Sequence, residues 1–340
     1  MLGANHGTLA ADMTLTLDTR LRIGLQTIHR RTEPATDAWQ PRIDDLVDLV
    51  RLADRCGYDS LWVGDHVSFA VPILDPLVQL AQAAVVSRRM TLGTSVFLLP
   101  LRHPSPVAKQ VATLDHMTEG RLIFGVGVGG EFRKEYELCG VPHNERGARL
   151  AEGVDVLRKL WTGEPVSHTG RFYGPFTDVS MRPPPRQPGG PPIWFAGRTD
   201  PALRRIGRIG DGYLSYVITP DMYRDALAKI ADAAAQAGRQ PAIFGTGHLL
   251  FTRMDDSYEK ALDFATETLS VRYAMDFRKP AMRYCALGTP AQVAERIREF
   301  YAAGLRHVIL DLLGPYEQRH RQIEAFAAEA MPLLRDLTAA

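Results

Sequence analysis

Residues 90–130 read MTLGTSVFLLPLRHPSPVAKQVATLDHMTEGRLIFGVGVGG. The run 90–99 is apolar from end to end and spells a strand. Pro104–Met117 follows as a helix, Gly120 breaks the chain, and 121–128 returns as a second apolar run. Strands without polar alternation are buried on both faces, and a strand–helix–strand unit joins parallel strands. This stretch therefore predicts a parallel sheet covered by helices.

The same unit recurs in both directions. Upstream, LRIGLQ (21–26) is a strand. The helix over 42–56 carries Leu46, Val47, Val50 and Ala53 on one face and stops at Gly57. SLWVG (60–64) is the next strand, and the helix over 75–87 opens with Asp75 as N-cap and Pro76 in its first turn. Downstream, strands are expected at 192–196, 212–217, 242–252 and 308–312. Helices are expected at 145–161, 201–209, 220–237 and 316–337. Eight strands, each with a helix, close most economically into a (β/α)₈ TIM barrel, with an open doubly wound sheet as the alternative. The expectation is one domain over 21–340, after a frayed or extended start at 1–20. Three insertions stand outside the minimal barrel: a loop at 132–144, a hairpin around Thr169 and Gly170 leading to a proline-rich run within 166–191, and extra helix at 255–288. The first and last follow strands, which puts them at the C-terminal mouth, where barrel enzymes keep their chemistry.

Composition narrows the function. The chain has 340 residues, 45% of them apolar and 23% charged, which is ordinary for a globular protein. Its 40 basic and 39 acidic side chains leave a formal charge of +1, which argues against a nucleic-acid binder driven by bulk charge. No apolar run is long enough to span a membrane, and the first twenty residues do not read as a signal peptide. Cys56, Cys139 and Cys285 are odd in number and lack CxxC spacing, which points to a reducing cytoplasm and away from a disulfide framework. No HExxH or histidine–carboxylate cluster suggests a metal, and no GxSxG suggests a serine nucleophile.

Four stretches could carry chemistry. Asp65 and His66 follow the second strand, where an acid and an imidazole are poised for proton handling; the alternative is that Asp65 caps a turn and His66 packs. Ser95 and Val96 lie near the end of the third strand, in what also reads as a normal β-branched run. FGVGVGG (124–130) formally matches GxGxxG, but the next long periodic element lacks the Rossmann pattern. Its glycines still allow close backbone approach to a ligand, or serve a turn at positive φ. Gly197, Arg198 and Thr199 open a helix, where N–H groups and a guanidinium suit a phosphate, or form a cap with a surface arginine.

Together, GYDSLWVGDH (57–66), residues 92–130, ERGARLAEGVDVLRKLWTGEPVSHTGRFY (145–173), PPIWFAGRTDPALRRIGRIGDGYL (191–214) and GTPAQVAERIREFYAAGLRHVILDL (288–312) resemble the bacterial luciferase-like superfamily, most closely its coenzyme F420-dependent branch. The resemblance implies a barrel oxidoreductase with a deazaflavin ring at the mouth, a small-molecule substrate and a homodimeric assembly. It puts Asp65 and His66 beside the ring, and Ser95–Val96 at a bulge with a non-prolyl cis peptide behind it. Gly127, Gly129 and Gly130 would line the cofactor's tail, with Gly197, Arg198 and Thr199 at its phosphate. Glu131 stands one residue beyond the place where some relatives carry an acid. An FMN-dependent monooxygenase on the same fold is the rival reading, and a non-catalytic ligand-binding barrel is a third.

Overall fold

The computed structural model describes residues 15–26, 42–69, 73–130 and 132–339. The expectations for 1–14 and for Glu131 lie outside these. In chain order the elements begin with β1 (Arg22–Gln26), α1 (Ile43–Arg55), β2 (Ser60–Val63), α2 (Pro76–Val86), β3 (Thr91–Thr94), α3 (Pro104–Met117), β4 (Leu122–Val126), α4 (Arg133–Leu138) and α5 (Arg146–Trp161). The hairpin β5 (Val166–His168) and β6 (Phe176–Val179) follows, then β7 (Ile193–Ala196), α6 (Asp200–Ile209), β8 (Gly212–Tyr216), α7 (Pro220–Gln236) and β9 (Gly245–Met254). The last elements are α8 (Tyr258–Tyr273), α9 (Arg278–Tyr284), β10 (Ala286–Gly288), α10 (Pro290–Ala302), β11 (His307–Leu312), α11 (Arg319–Ala325) and α12 (Arg335–Thr338).

Parallel pairing runs β9, β11, β1, β2, β3, β4, β7, β8 and returns from β8 to β9, so the sheet closes into an eight-stranded barrel. The open-sheet alternative fails at that last ladder, where Gly212 to Tyr216 pair with Gly245 to Leu249. The barrel is plugged rather than hollow. Trp62 and Trp194 meet inside at 5.6 Å between ring centroids, with Leu214 and Ile309 around them. Glycines on nearby strands make the room: a Cβ on Gly93 of the adjacent β3 would lie 2.5 Å from the Trp62 ring, and one on Gly245 of β9 2.1 Å from the Trp194 ring. Large side chains facing glycines fill a barrel interior in layers.

The structure corrects several boundaries. The third strand ends at Thr94, not at residue 99. Ser95 N–H still bonds Val63 O, but Phe97 N–H turns to Gly125 O, and Pro100, which has no N–H to donate, sits in a tight turn at Leu99–Leu101. The stretch 132–144 is not plain loop; it contains α4. The insertion 255–288 holds two helices and a short parallel strand, β10, added outside the barrel along β9. Helix α10 was not foreseen, although Thr289 and Gln292 form a capping box at its start. The closing helix does not run unbroken over 316–337. It widens at Phe326–Ala330 and tightens at Met331–Leu334, where Pro332 removes a donor from the ladder. Nor are residues 15–20 frayed. Thr16 O accepts from Phe244 N–H at 2.8 Å and Asp18 O from Arg306 Nε at 2.7 Å, laying this segment across the N-terminal end of the barrel.

Candidate active site

The residues singled out after the second, third, fourth and fifth sequence-predicted strands follow β2, β3, β4 and β7, which are consecutive neighbours in the barrel. The fold therefore gathers them on one half of the C-terminal rim. Asp65 lies deepest, with no exposed side-chain surface. It forms a two-pronged pair with Arg102, Oδ1 to Nη2 at 2.8 Å and Oδ2 to Nη1, and Oδ2 also accepts from Leu98 N–H at 2.8 Å. Burial pushes its carboxyl upward, and the Arg102 charge partly offsets that. The pair ties the loop after β2 to the segment after β3.

His66 is oriented from the other side. Its Nδ1 lies 2.9 Å from Glu135 Oε2, and Oε1 of the same carboxylate accepts from Val67 N–H at 2.7 Å. Glu135 is 1% exposed while His66 is 24% exposed. A carboxylate can only accept, so it places the proton on Nδ1 and leaves Nε2 as the acceptor in the neutral ring. The imidazole stacks on Phe69 at 4.0 Å, and Phe132 packs edge-on against Phe69.

The peptide bond between Ser95 and Val96 is cis. Ser95 Oγ donates to Gln26 Oε1 at 2.5 Å, joining the ends of β3 and β1. Val96 packs against Gly127, where a Cβ would come within 2.4 Å of Val96 Cγ2. Gly129 and Gly130 have φ of 56° and 106°, which favours glycine. Gly197 leads into α6, and Thr199 stands at its N-cap position without a side-chain capping bond. Arg198 Cζ lies over the Tyr216 ring, 4.6 Å from its centroid.

A family model described as luciferase-like monooxygenase matches residues 22–307. This chain belongs to that family. Among its relatives, the F420-dependent glucose-6-phosphate dehydrogenase of Nocardia farcinica is 30% identical over 324 residues, covering 86% of this chain and 94% of that protein. The 4-hydroxyprotoasukamycin monooxygenase of Streptomyces nodosus subsp. asukaensis is 32% identical over 267 residues, covering 76% of this chain and 68% of that protein. Of the solved structures, a monooxygenase from Streptomyces bottropensis superposes with a TM-score of 0.79 at 26% identity, covering 92% of this chain and 99% of that one.

Within this family framework, sequence reading passed over Glu135, Arg102 and Gln26. Glu135 did leave a signal. Phe132, Glu135, Tyr136 and Cys139 recur at helical spacing, so an acid sits on the face that a short amphipathic helix turns inward. Arg102 and Gln26 left none, because each is paired with a residue remote in sequence. Among the described residues no group of three or more His, Cys, Asp or Glu could hold a metal ion. On this half of the rim stand the His66–Phe69 stack, the Ser95–Val96 segment packed against Gly127, two positive-φ glycines and the start of α6.

Proposed function

We propose that this chain is an oxidoreductase that moves a hydride between coenzyme F420 and a small organic substrate, with His66 handling the accompanying proton. The observation that carries this reading is the His66–Glu135 pair on the loop after β2, on the half of the rim where Ser95, Val96, Gly127, Gly129 and Gly130 also follow neighbouring strands. Similarity over most of the chain to dehydrogenases named as F420-dependent supports the choice of cofactor.

When bound, the deazaflavin supplies a ring carbon that accepts or gives up a hydride. The protein's part is orientation and proton transfer. Val96 and Gly127 provide a close-packed support, and the Asp65–Arg102 pair holds that support against the β2 loop. Asp65 is thus a positioning residue in this reading. In the oxidative direction, His66 Nε2 takes the proton of a substrate hydroxyl as its carbon loses a hydride; in the reductive direction it returns one. Gly197, Arg198 and Thr199 hold the phosphate with backbone N–H groups and charge.

The same reading has two copies pairing in a reducing cytoplasm. Helix α2 presents Val78 and Val85, 70% and 64% exposed and two turns apart, and Cys56, Cys139 and Cys285 are all free thiols. No helix among the described residues is long and apolar enough to cross a membrane.

The rival is a flavin-dependent monooxygenase, which the 32% identical relative keeps in play. Fluorescence titration of the purified protein with F420 and with FMN separates the two. Tighter binding of F420 is expected, followed by its oxidation or reduction with a panel of ketones, enones and alcohols. Micromolar FMN binding with no F420 binding reverses the assignment. Binding of either without turnover of any compound favours the non-catalytic barrel.

A further inference from the structure

Between the ends of β4 and β7 stand two arginines that no acid among the described residues pairs. Arg146 opens α5, and Arg205 sits midway along α6. Arg205 Nη2 lies 2.7 Å from the point where a Cβ on Gly147 would stand, so the guanidinium occupies space that any other residue there would contest. Across the cleft, a Cβ on Gly130 would lie 3.1 Å from Arg146 Nε and 2.9 Å from His143 Nε2. Arg146 Nη1 donates to His143 O at 2.7 Å, which fixes the side chain along the cleft wall. Burial, and then the charge of Arg146, pull the Arg205 guanidinium below its ordinary value.

Two partly buried arginines close enough for one charge to act on the other repel unless an anion lies between them. The neighbouring acids among the described residues are committed elsewhere. Glu145 pairs with Arg149 at 2.8 Å, Asp200 with Lys229 at 2.8 Å, and Glu152 accepts N–H bonds from Arg171, Phe172 and Tyr173. Among the described residues neither Arg146 nor Arg205 has a carboxylate partner, and Arg205 donates no hydrogen bond to the protein. Arg146 and His143 stand against Gly130, which belongs to the glycine run set along the cofactor's tail in the functional reading above.

We propose that Arg146 and Arg205 form a second anion site, which takes a carboxylate of the glutamyl tail that F420 carries beyond its phosphate. The proposal rests on the functional reading above and deepens it, because FMN ends at its phosphate and has nothing to place there. Two planar guanidinium forks suit a planar carboxylate, and Gly130 and Gly147 keep the approach clear of side chains.

The test is equilibrium binding, read by fluorescence quenching, with two probes. One is F420 with its glutamyl tail; the other is the same ring and ribityl chain ending in a 5′-phosphate. Arg205→Gln and Arg146→Gln should each weaken F420 binding by about 10- to 100-fold, the range for a lost charge-assisted hydrogen bond, and leave the phosphate ester unchanged. Arg205→Lys should recover part of the loss. The salt dependence of F420 binding should become shallower in the glutamine variants. Equal losses for the two probes, or none for either, overturn the tail site. A wild type that takes FMN and neither deazaflavin overturns the functional reading instead.

Discussion

His66 and Glu135 concentrate the chemistry in two side chains, and their roles separate by substitution. His66→Ala should lower turnover by about 10²- to 10⁴-fold at saturating cofactor while leaving cofactor affinity nearly intact. Glu135→Gln keeps an oxygen for the Val67 N–H but no longer imposes a proton on Nδ1. Turnover should fall more gently, by about 10-fold, with a displaced pH profile. Single-turnover oxidation of reduced cofactor by ketones and enones measures both. Equal rates for wild type and His66→Ala across every reactive compound end the proton-transfer assignment. A Glu135→Gln profile that falls without moving on the pH axis leaves Glu135 as loop scaffolding only. His66 was visible in the sequence because it follows a strand. Its orienting partner lies 69 positions away and was not.

The strands carry a second titration, remote from the mouth. His307 of β11 points into the barrel, 2.6 Å from Ser60 Oγ and edge-on to Trp62, and His248 of β9 stacks on Phe300 outside it at 4.4 Å. Burial is the first cause pulling each imidazole down to about 3. The unfolded chain binds these protons near pH 6.5 and the folded chain does not. Stability is therefore intact above about 6.5 and lost as pH falls towards 3, by about 1.4 kcal/mol per pH unit for each histidine. Urea unfolding at pH 7 and pH 5 should show this slope, and His248→Asn should flatten it by roughly one histidine's share. A variant as acid-sensitive as wild type refutes the assignment. The same strands show why boundaries were less legible than elements. Apolar content marks a strand, but where β3 stops depends on Ser95 finding Gln26 and Phe97 finding Gly125, neither of which is near in sequence.

Among the described residues, Val78 and Val85 of α2 are the two most exposed valines and lie on one side of that helix. If two copies meet there, light scattering will give twice the chain mass for wild type. Val78→Asp combined with Val85→Asp will give a monomer with an unchanged far-ultraviolet spectrum. A monomeric wild type, or a dimeric double variant, moves the interface elsewhere or removes it. The closed barrel also explains why the mouth accommodates insertions. Residues 255–288 pack around their own apolar cluster of Phe251, Leu262, Leu269 and Phe277, and the ring of strands closes without them.

Periodicity and apolar content are local properties, and they marked the eight strands, most of the helices and the strands after which Asp65, His66, Ser95, Val96, Gly127 and Gly197 lie, while closure of the barrel was decided only by the β8–β9 ladder. Partnership is not local. That Asp65 is locked to Arg102, that Glu135 turns His66, and that Arg205 meets Arg146 across Gly147 became visible only once β2, β3, β4 and β7 stood side by side. The physical reason is that a side chain's charge state and direction are set by whatever lies within a few ångströms of it. In a closed parallel barrel those neighbours come from strands separated by whole helices.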